Sequence, residues 1–125
     1  MGLSIKEASE RLEIPPHTIR YYEKEGLLPF IQRDEHGNRI FGSKDLDWIK
    51  LMTCFRVTGM SISALKNIVN IALQGDSTIP ERKAILEKHK MELRKRQLEL
   101  DIAFDAVNHK LTKYDSIQKG TAHSL

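Results

Sequence analysis

Near the start of the chain the apolar residues Ile5, Ala8 and Leu12 recur at three- and four-residue steps, the buried stripe of a short helix. Ser4 and Glu7 bracket its start as a capping box, in which hydroxyl and carboxylate satisfy amides that a helix leaves open. Glu13-Ile14-Pro15 breaks the stripe. Pro16 suits the first turn of a second helix running from His17 through Glu23, and Gly26 stops it. Within that helix Ile19 and Tyr22, three apart, are the core positions. Phe30 to Arg33 and Arg39 to Phe41 then read as two very short strands around the turn Asp34-Glu35-His36-Gly37-Asn38. Ser43 is placed to cap a third helix, in which Leu46, Trp48, Ile49, Leu51, Met52 and Phe55 give such broad apolar coverage that deep burial is expected. Ser61 is placed to cap a fourth, carrying Ile62, Leu65, Ile68, Val69 and Leu73 up to Gln74-Gly75-Asp76.

From Glu81 to about Tyr114 there is neither Gly nor Pro, and the pattern becomes one long helix. Ile79, Leu86, Leu93, Leu100, Val107 and Tyr114 fall at seven-residue intervals, and Phe104 and Leu111 add a second register that Lys90 and Gln97 interrupt earlier on. A lone helix cannot bury such a stripe. The expected solution is a homodimer through Leu93, Leu100, Phe104, Val107 and Leu111. The fold class expected is therefore mainly α: a winged helix-turn-helix head over residues 1–75, then 76–125 holding a linker, a long coiled-coil dimerisation helix and a polar tail that frays from Ser116.

Composition narrows the function classes. A chain of 125 residues, 40% hydrophobic, supports one modest core and no second enzyme-sized domain. Twenty basic against 17 acidic residues, a net +3, is compatible with a nucleic-acid partner without requiring one. The single cysteine, Cys54, cannot form an intrachain disulfide, and the five histidines lie on different elements without zinc-ligand spacing, so no metal is expected. No nucleophile–base pair, phosphate-binding glycine loop or carboxylate pair is signalled; the chain does not read as an enzyme, and no cofactor is expected. The residues from Met1 to Arg11 contain no apolar run of signal-peptide or membrane-spanning length, which points to a cytoplasmic protein without a membrane partner.

Helix, tight turn, helix and hairpin together put His17, Thr18, Arg20 and Tyr21 on a helix suited to a major groove. An arginine fork fits guanine edges or a phosphate, and the Tyr21 hydroxyl suits backbone oxygens. Tyr22, chiefly core, is kept as a weaker contact through its hydroxyl. Arg33 and Arg39 flank the hairpin turn, where a wing can lie on flanking phosphates or a minor groove. Arg56 and Ser61 sit at the joint of the third and fourth helices, whose free amides favour an anion. Each of these groups also has a plainer reading, as a solvated face or a capped turn.

Four segments in order, Ser4-Ile5-Lys6-Glu7-Ala8, Thr18 through Leu27, Gly37-Asn38-Arg39-Ile40-Phe41 and Arg56 through Ile62, closely resemble the MerR family of bacterial regulators. The resemblance covers about the first seventy residues and implies a winged head with antiparallel pairing of the long helices. It also implies binding of double-stranded promoter DNA at a pseudo-palindromic operator, with RNA polymerase affected indirectly through bending and untwisting of the spacer. By the same resemblance His17, Thr18, Arg20 and Tyr21 match recognition-helix contacts, Arg39 the wing contact, and Arg56 and Ser61 the second-wing region. His36, Asn38 and Ala64 depart from residues common in the family. Metal-sensing members carry a cysteine-bearing loop after the long helix and drug-sensing members a large appended domain; neither pattern follows here. Cys54 resembles the lone cysteine of a branch associated with aldehyde and thiol stress, while the plainer expectation for a free cysteine between Leu51 and Phe55 is burial. The alternative function is an architectural or recombination-associated DNA-binding module.

Overall fold

The computed structural model describes residues 2–120, which fold in the order α1 (Ile5–Leu12), α2 (Pro16–Lys24), β1 (Gln32–Arg33), β2 (Arg39–Ile40), α3 (Ser43–Val57), α4 (Ile62–Leu73), a 3-10 turn (Asp76–Thr78) and α5 (Ile79–Gln118). The fold is mainly α, a winged helix-turn-helix head followed by a long helix. At α1 the capping box forms as read: Ser4 Oγ accepts from the Glu7 amide at 3.1 Å, and Glu7 Oε1 accepts from the Ser4 amide at 3.0 Å. These bonds, the one from the Ser4 amide foremost, hold the Glu7 carboxyl below the usual carboxylate range. Glu13 ends α1 in the left-handed region at φ 56°, which turns Ile14 into the core; Ser9 Oγ donates to the Ile14 carbonyl at 2.5 Å and fixes that joint.

The wing is an antiparallel pair with Gln32 opposite Ile40 and Arg33 opposite Arg39. Its turn closes on Asp34, whose Oδ1 accepts from the amides of both His36 and Asn38 at 2.9 Å, while Gly37 supplies φ +81°. Leu3 and Phe41 exchange two backbone hydrogen bonds of 2.8 Å, which fasten the N-terminal arm to the hairpin above the fully buried Phe41 ring.

Two expectations for α3 need correction. Its N-cap is Gly42 rather than Ser43, because Asp45 Oδ2 reaches back to accept the Gly42 amide at 2.9 Å. Its burial is one-sided: Leu46, Ile49 and Met52 are buried at helical spacing, whereas Leu51 is 42% exposed and Trp48 and Phe55 are half-buried. α4 follows its reading, with Ser61 as cap and Leu65, Ile68 and Val69 buried. The core also takes Leu27 and Leu28 from the segment after α2, and Trp48 Nε1 donates to the Leu27 carbonyl at 2.8 Å, so the indole enters the core edge with its polar atom satisfied.

α5 begins at Ile79, two residues before Glu81, because the 3-10 turn runs straight into it and Pro80 falls in its first turn, where proline is tolerated. Ile85 packs on the head core, and the compact head unit runs to Ile85, beyond the boundary at residue 75 read from the sequence. From Leu86 onward α5 forms a unit of its own. Leu100, Phe104, Val107 and Leu111 are exposed on it and Leu93 is half-buried. Helix persists through Ser116 to Gln118, where fraying was expected; the last part of that expectation, residues 121–125, lies outside the described residues. Among the described residues no helix is long and apolar enough to cross a membrane.

Candidate nucleic-acid interface

α2 divides cleanly. Ile19 and Tyr22 are 0% and 4% exposed and brace the helix on the core. His17, Arg20 and Tyr21 are exposed, and with Lys24 they follow the i, i+3, i+4, i+7 spacing that lines one face of a helix. Thr18 is half-buried at the edge of that face. Tyr22 therefore belongs to the core side, its ring 6.4 Å from that of Tyr21, and the expectation that it also serves as a DNA contact finds little support in its burial. Neighbouring tyrosines at a helix boundary point a large angle apart, so one holds the helix and the other faces outward.

Arg33 and Arg39, which flank the hairpin turn where the sequence places a wing contact with flanking phosphates or a minor groove, are both tied to α2. Arg39 Nε donates to Glu23 Oε1 at 2.6 Å, and Arg33 Nη2 donates to the same oxygen at 3.2 Å. Arg33 Nη1 also donates to the Gly37 carbonyl at 2.8 Å, inside the hairpin turn. Glu23, absent from the residues singled out in the sequence, thus joins the wing to the helix beside it. Separations of ten and sixteen residues offered no periodic signal for either pair. The two guanidiniums outnumber the one carboxylate, so the cluster stays cationic.

Arg20, Arg33 and Arg39 converge on one polar cleft of about 610 Å³, walled further by Ser4, Asn38 and Ile40. Its acidic member, Asp34, is committed to turn amides. Three cations around one polar cleft form an anion-attracting surface of the kind that holds phosphates. His17, Thr18 and Tyr21 do not line this cleft; His17 and Tyr21 lie along the exposed side of α2, with Thr18 at its edge. Arg56 and Ser61 form a separate place at the α3–α4 joint. Arg56 is exposed, and Ser61 Oγ accepts from the Ala64 amide at 3.0 Å, so its hydroxyl already serves the helix start. A second tie, Lys66 Nζ to Glu25 Oε2 at 2.6 Å, fixes α4 to the residue that caps α2. Cys54 is exposed, which corrects the expectation of burial: it falls on the side of α3 turned away from Ile49 and Met52.

The family model of MerR HTH regulatory proteins matches residues 3–70. The chain belongs to the MerR family. A helix-turn-helix transcriptional regulator of Haemophilus influenzae is 39% identical over 114 residues, covering 91% of this chain and 84% of its own. The regulator ZntR of Escherichia coli is 30% identical over 121 residues, covering 96% of this chain and 83% of its own. Among solved structures, HiNmlR, a MerR-family regulator lacking the sensor domain and bound to promoter DNA, superposes with a TM-score of 0.87 at 36% identity, covering 98% of this chain and 97% of that one. The geometry accommodates the three positions that depart from the family pattern. The wing turn of this MerR-family chain uses the backbone amides of residues 36 and 38, so His36 and Asn38 leave it intact; likewise the α4 cap uses the amide of Ala64, not its side chain.

Proposed function

We propose that this MerR-family transcriptional regulator binds a pseudo-palindromic promoter operator as a homodimer, with α2 in a major groove and the hairpin on flanking phosphates, and acts on polymerase by distorting the DNA between the half-sites. The observation that carries this reading is the joining of α2 to the wing: Arg20, Arg33 and Arg39 line one cationic cleft, on a fold shared over nearly its whole length with a regulator bound to promoter DNA. His17, Thr18, Arg20 and Tyr21 are the reading residues, Arg33 and Arg39 the wing cations, and Arg56 and Ser61 a further phosphate contact; Tyr22 supports the helix from the core. The head ends and the dimerisation helix takes over between residue 75 and Ile85, and Leu93, Leu100, Phe104, Val107 and Leu111 form the seam. The protein works in the cytoplasm and is not an enzyme. Cys54 is its candidate for direct chemical sensing. The architectural alternative has no support among the relatives, which are transcriptional regulators.

The test is fluorescence anisotropy with promoter DNA from upstream of the protein's own gene cluster. Affinity should fall steeply with salt, and Arg20→Ala should weaken binding by about 1–3 kcal/mol, the worth of a good bidentate base contact. An Arg20→Ala protein that binds as tightly as wild type would remove α2 from the groove. In vitro transcription with reactive aldehyde, on wild type and Cys54→Ser, decides whether the thiol carries the signal.

A further inference from the structure

The head contains a second cleft that shares no lining residue with the cationic one, with a volume of about 450 Å³, inside the roughly 300–1,000 Å³ range of small-molecule sites. Its apolar walls come from Leu28, Phe30 and Ile31 leading into β1, Trp48 of α3, and Val69 and Ala72 of α4. Lys44, Asp45 and Arg82 also line it, two cations against one carboxylate. Asp45 is held by the Gly42 amide. Lys44 has no ion pair among the described residues. Arg82 spends Nε on Thr78 Oγ1 at 3.0 Å and Nη2 on the Gly75 carbonyl at 2.9 Å, both neutral acceptors that fix the guanidinium without cancelling its charge. Phe30, a lining ring, is 71% exposed, whereas the Trp48 indole is anchored by its bond to the Leu27 carbonyl.

An apolar cleft with one rigid aromatic wall, one exposed ring and a surplus of positive charge matches a small molecule with a flat apolar body and one negative end. We infer that this cleft binds a small aromatic carboxylate, one per protomer, its ring against Phe30 and Trp48 and its carboxylate on Lys44 and Arg82. The site touches the base of the wing, α3, α4 and the first turn of α5, so an occupant alters the seating of the wing on the head. That regulatory consequence rests on the DNA-binding reading; the binding site does not.

Trp48 is the only tryptophan in the chain, so the protein carries its own reporter. Full-length protein is titrated with phenylacetate, and in parallel with the uncharged phenethyl alcohol, following Trp48 fluorescence and the indole N–H resonance. Phenylacetate should give a saturable response at one site per protomer, with the alcohol about tenfold weaker, as expected when a charge-assisted hydrogen bond is lost. Phe30→Ala, at an exposed position that leaves the core intact, should weaken the acid about threefold to tenfold. Lys44→Ala should reduce the preference for acid over alcohol, and Ala72→Phe should fill the cleft and abolish the response. The inference is overturned by a Trp48 signal that does not saturate, by equal binding of acid and alcohol, or by a Phe30→Ala protein indistinguishable from wild type. Trp48 shielded from acrylamide in the dimer and open to it on dissociation would mean that a second copy fills the cleft, and would overturn the inference equally. Operator anisotropy with and without phenylacetate is the separate arm: a protein that binds no DNA defeats the regulator reading while the Trp48 titration still decides the site.

Discussion

Replacing Glu23 by Ala removes the one carboxylate that holds both wing arginines to α2. The Arg39 pair is short at 2.6 Å, and the two side chains are 23% and 22% exposed, so it belongs with charged hydrogen bonds worth about 1.5–3 kcal/mol net. The Arg33 pair is longer, with the Arg33 side chain 47% exposed, and falls in the surface range of about 0–1 kcal/mol. The expected loss of stability for Glu23→Ala is therefore about 2–3 kcal/mol, most of it through Arg39. On DNA two effects oppose each other. Removing a negative charge beside the cationic cleft favours any phosphate, whatever the sequence, while loosening the wing degrades the register that a specific site requires. Affinity for unrelated DNA should hold or rise, affinity for the operator should fall, and their ratio should drop about tenfold. Urea unfolding at fixed protomer concentration measures the first effect, in double-mutant cycles with Arg39→Ala and Arg33→Ala; anisotropy on operator and scrambled duplexes measures the second. A Glu23–Arg39 coupling below about 0.5 kcal/mol, or an unchanged specificity ratio, would refute the reasoning.

Leu100→Asp with Val107→Asp should convert the dimer to monomer in analytical ultracentrifugation, because two charges would be buried at the α5 seam; a sedimenting dimer would place the interface elsewhere. The depressed Glu7 carboxyl contributes α1 capping that is present above its unfolded pKa and lost as pH falls through its folded pKa, so hydrogen exchange at the start of α1 should gain protection-loss on acidification that Glu7→Gln does not show. Cys54→Ser should change stability by less than about 0.5 kcal/mol, and iodoacetamide should label native Cys54 readily; a thiol labelled only after unfolding would mean that it is covered.

The helices were legible because their signals are local. Ser4 and Glu7 announce α1, Ser61 announces α4, and the spacing of Leu65, Ile68 and Val69 states which face of α4 is buried. Where apolar residues cover a helix all round, as on α3, periodicity loses its power: it could not tell Leu51, which is exposed, from Met52, which is buried. The α3 start was misassigned for a related reason, since a serine is a good cap in isolation but the reciprocal Asp45 bond selects the residue before it.

What the sequence concealed is the tertiary wiring of the cationic cleft, and this changes how its arginines would act on a phosphate. Free arginine arms would surrender side-chain entropy on meeting DNA, roughly 0.5–1.5 kcal/mol for each immobilised side chain. Tied to Glu23, and in the case of Arg33 also to the Gly37 carbonyl, Arg33 and Arg39 are ordered beforehand. Glu23 thus weakens each arginine's pull on a phosphate while setting where that pull is exerted. Under the proposed mechanism, in which output depends on deforming DNA rather than on holding it, position outweighs raw attraction, since a wing seated one phosphate away would transmit its force to the wrong base step.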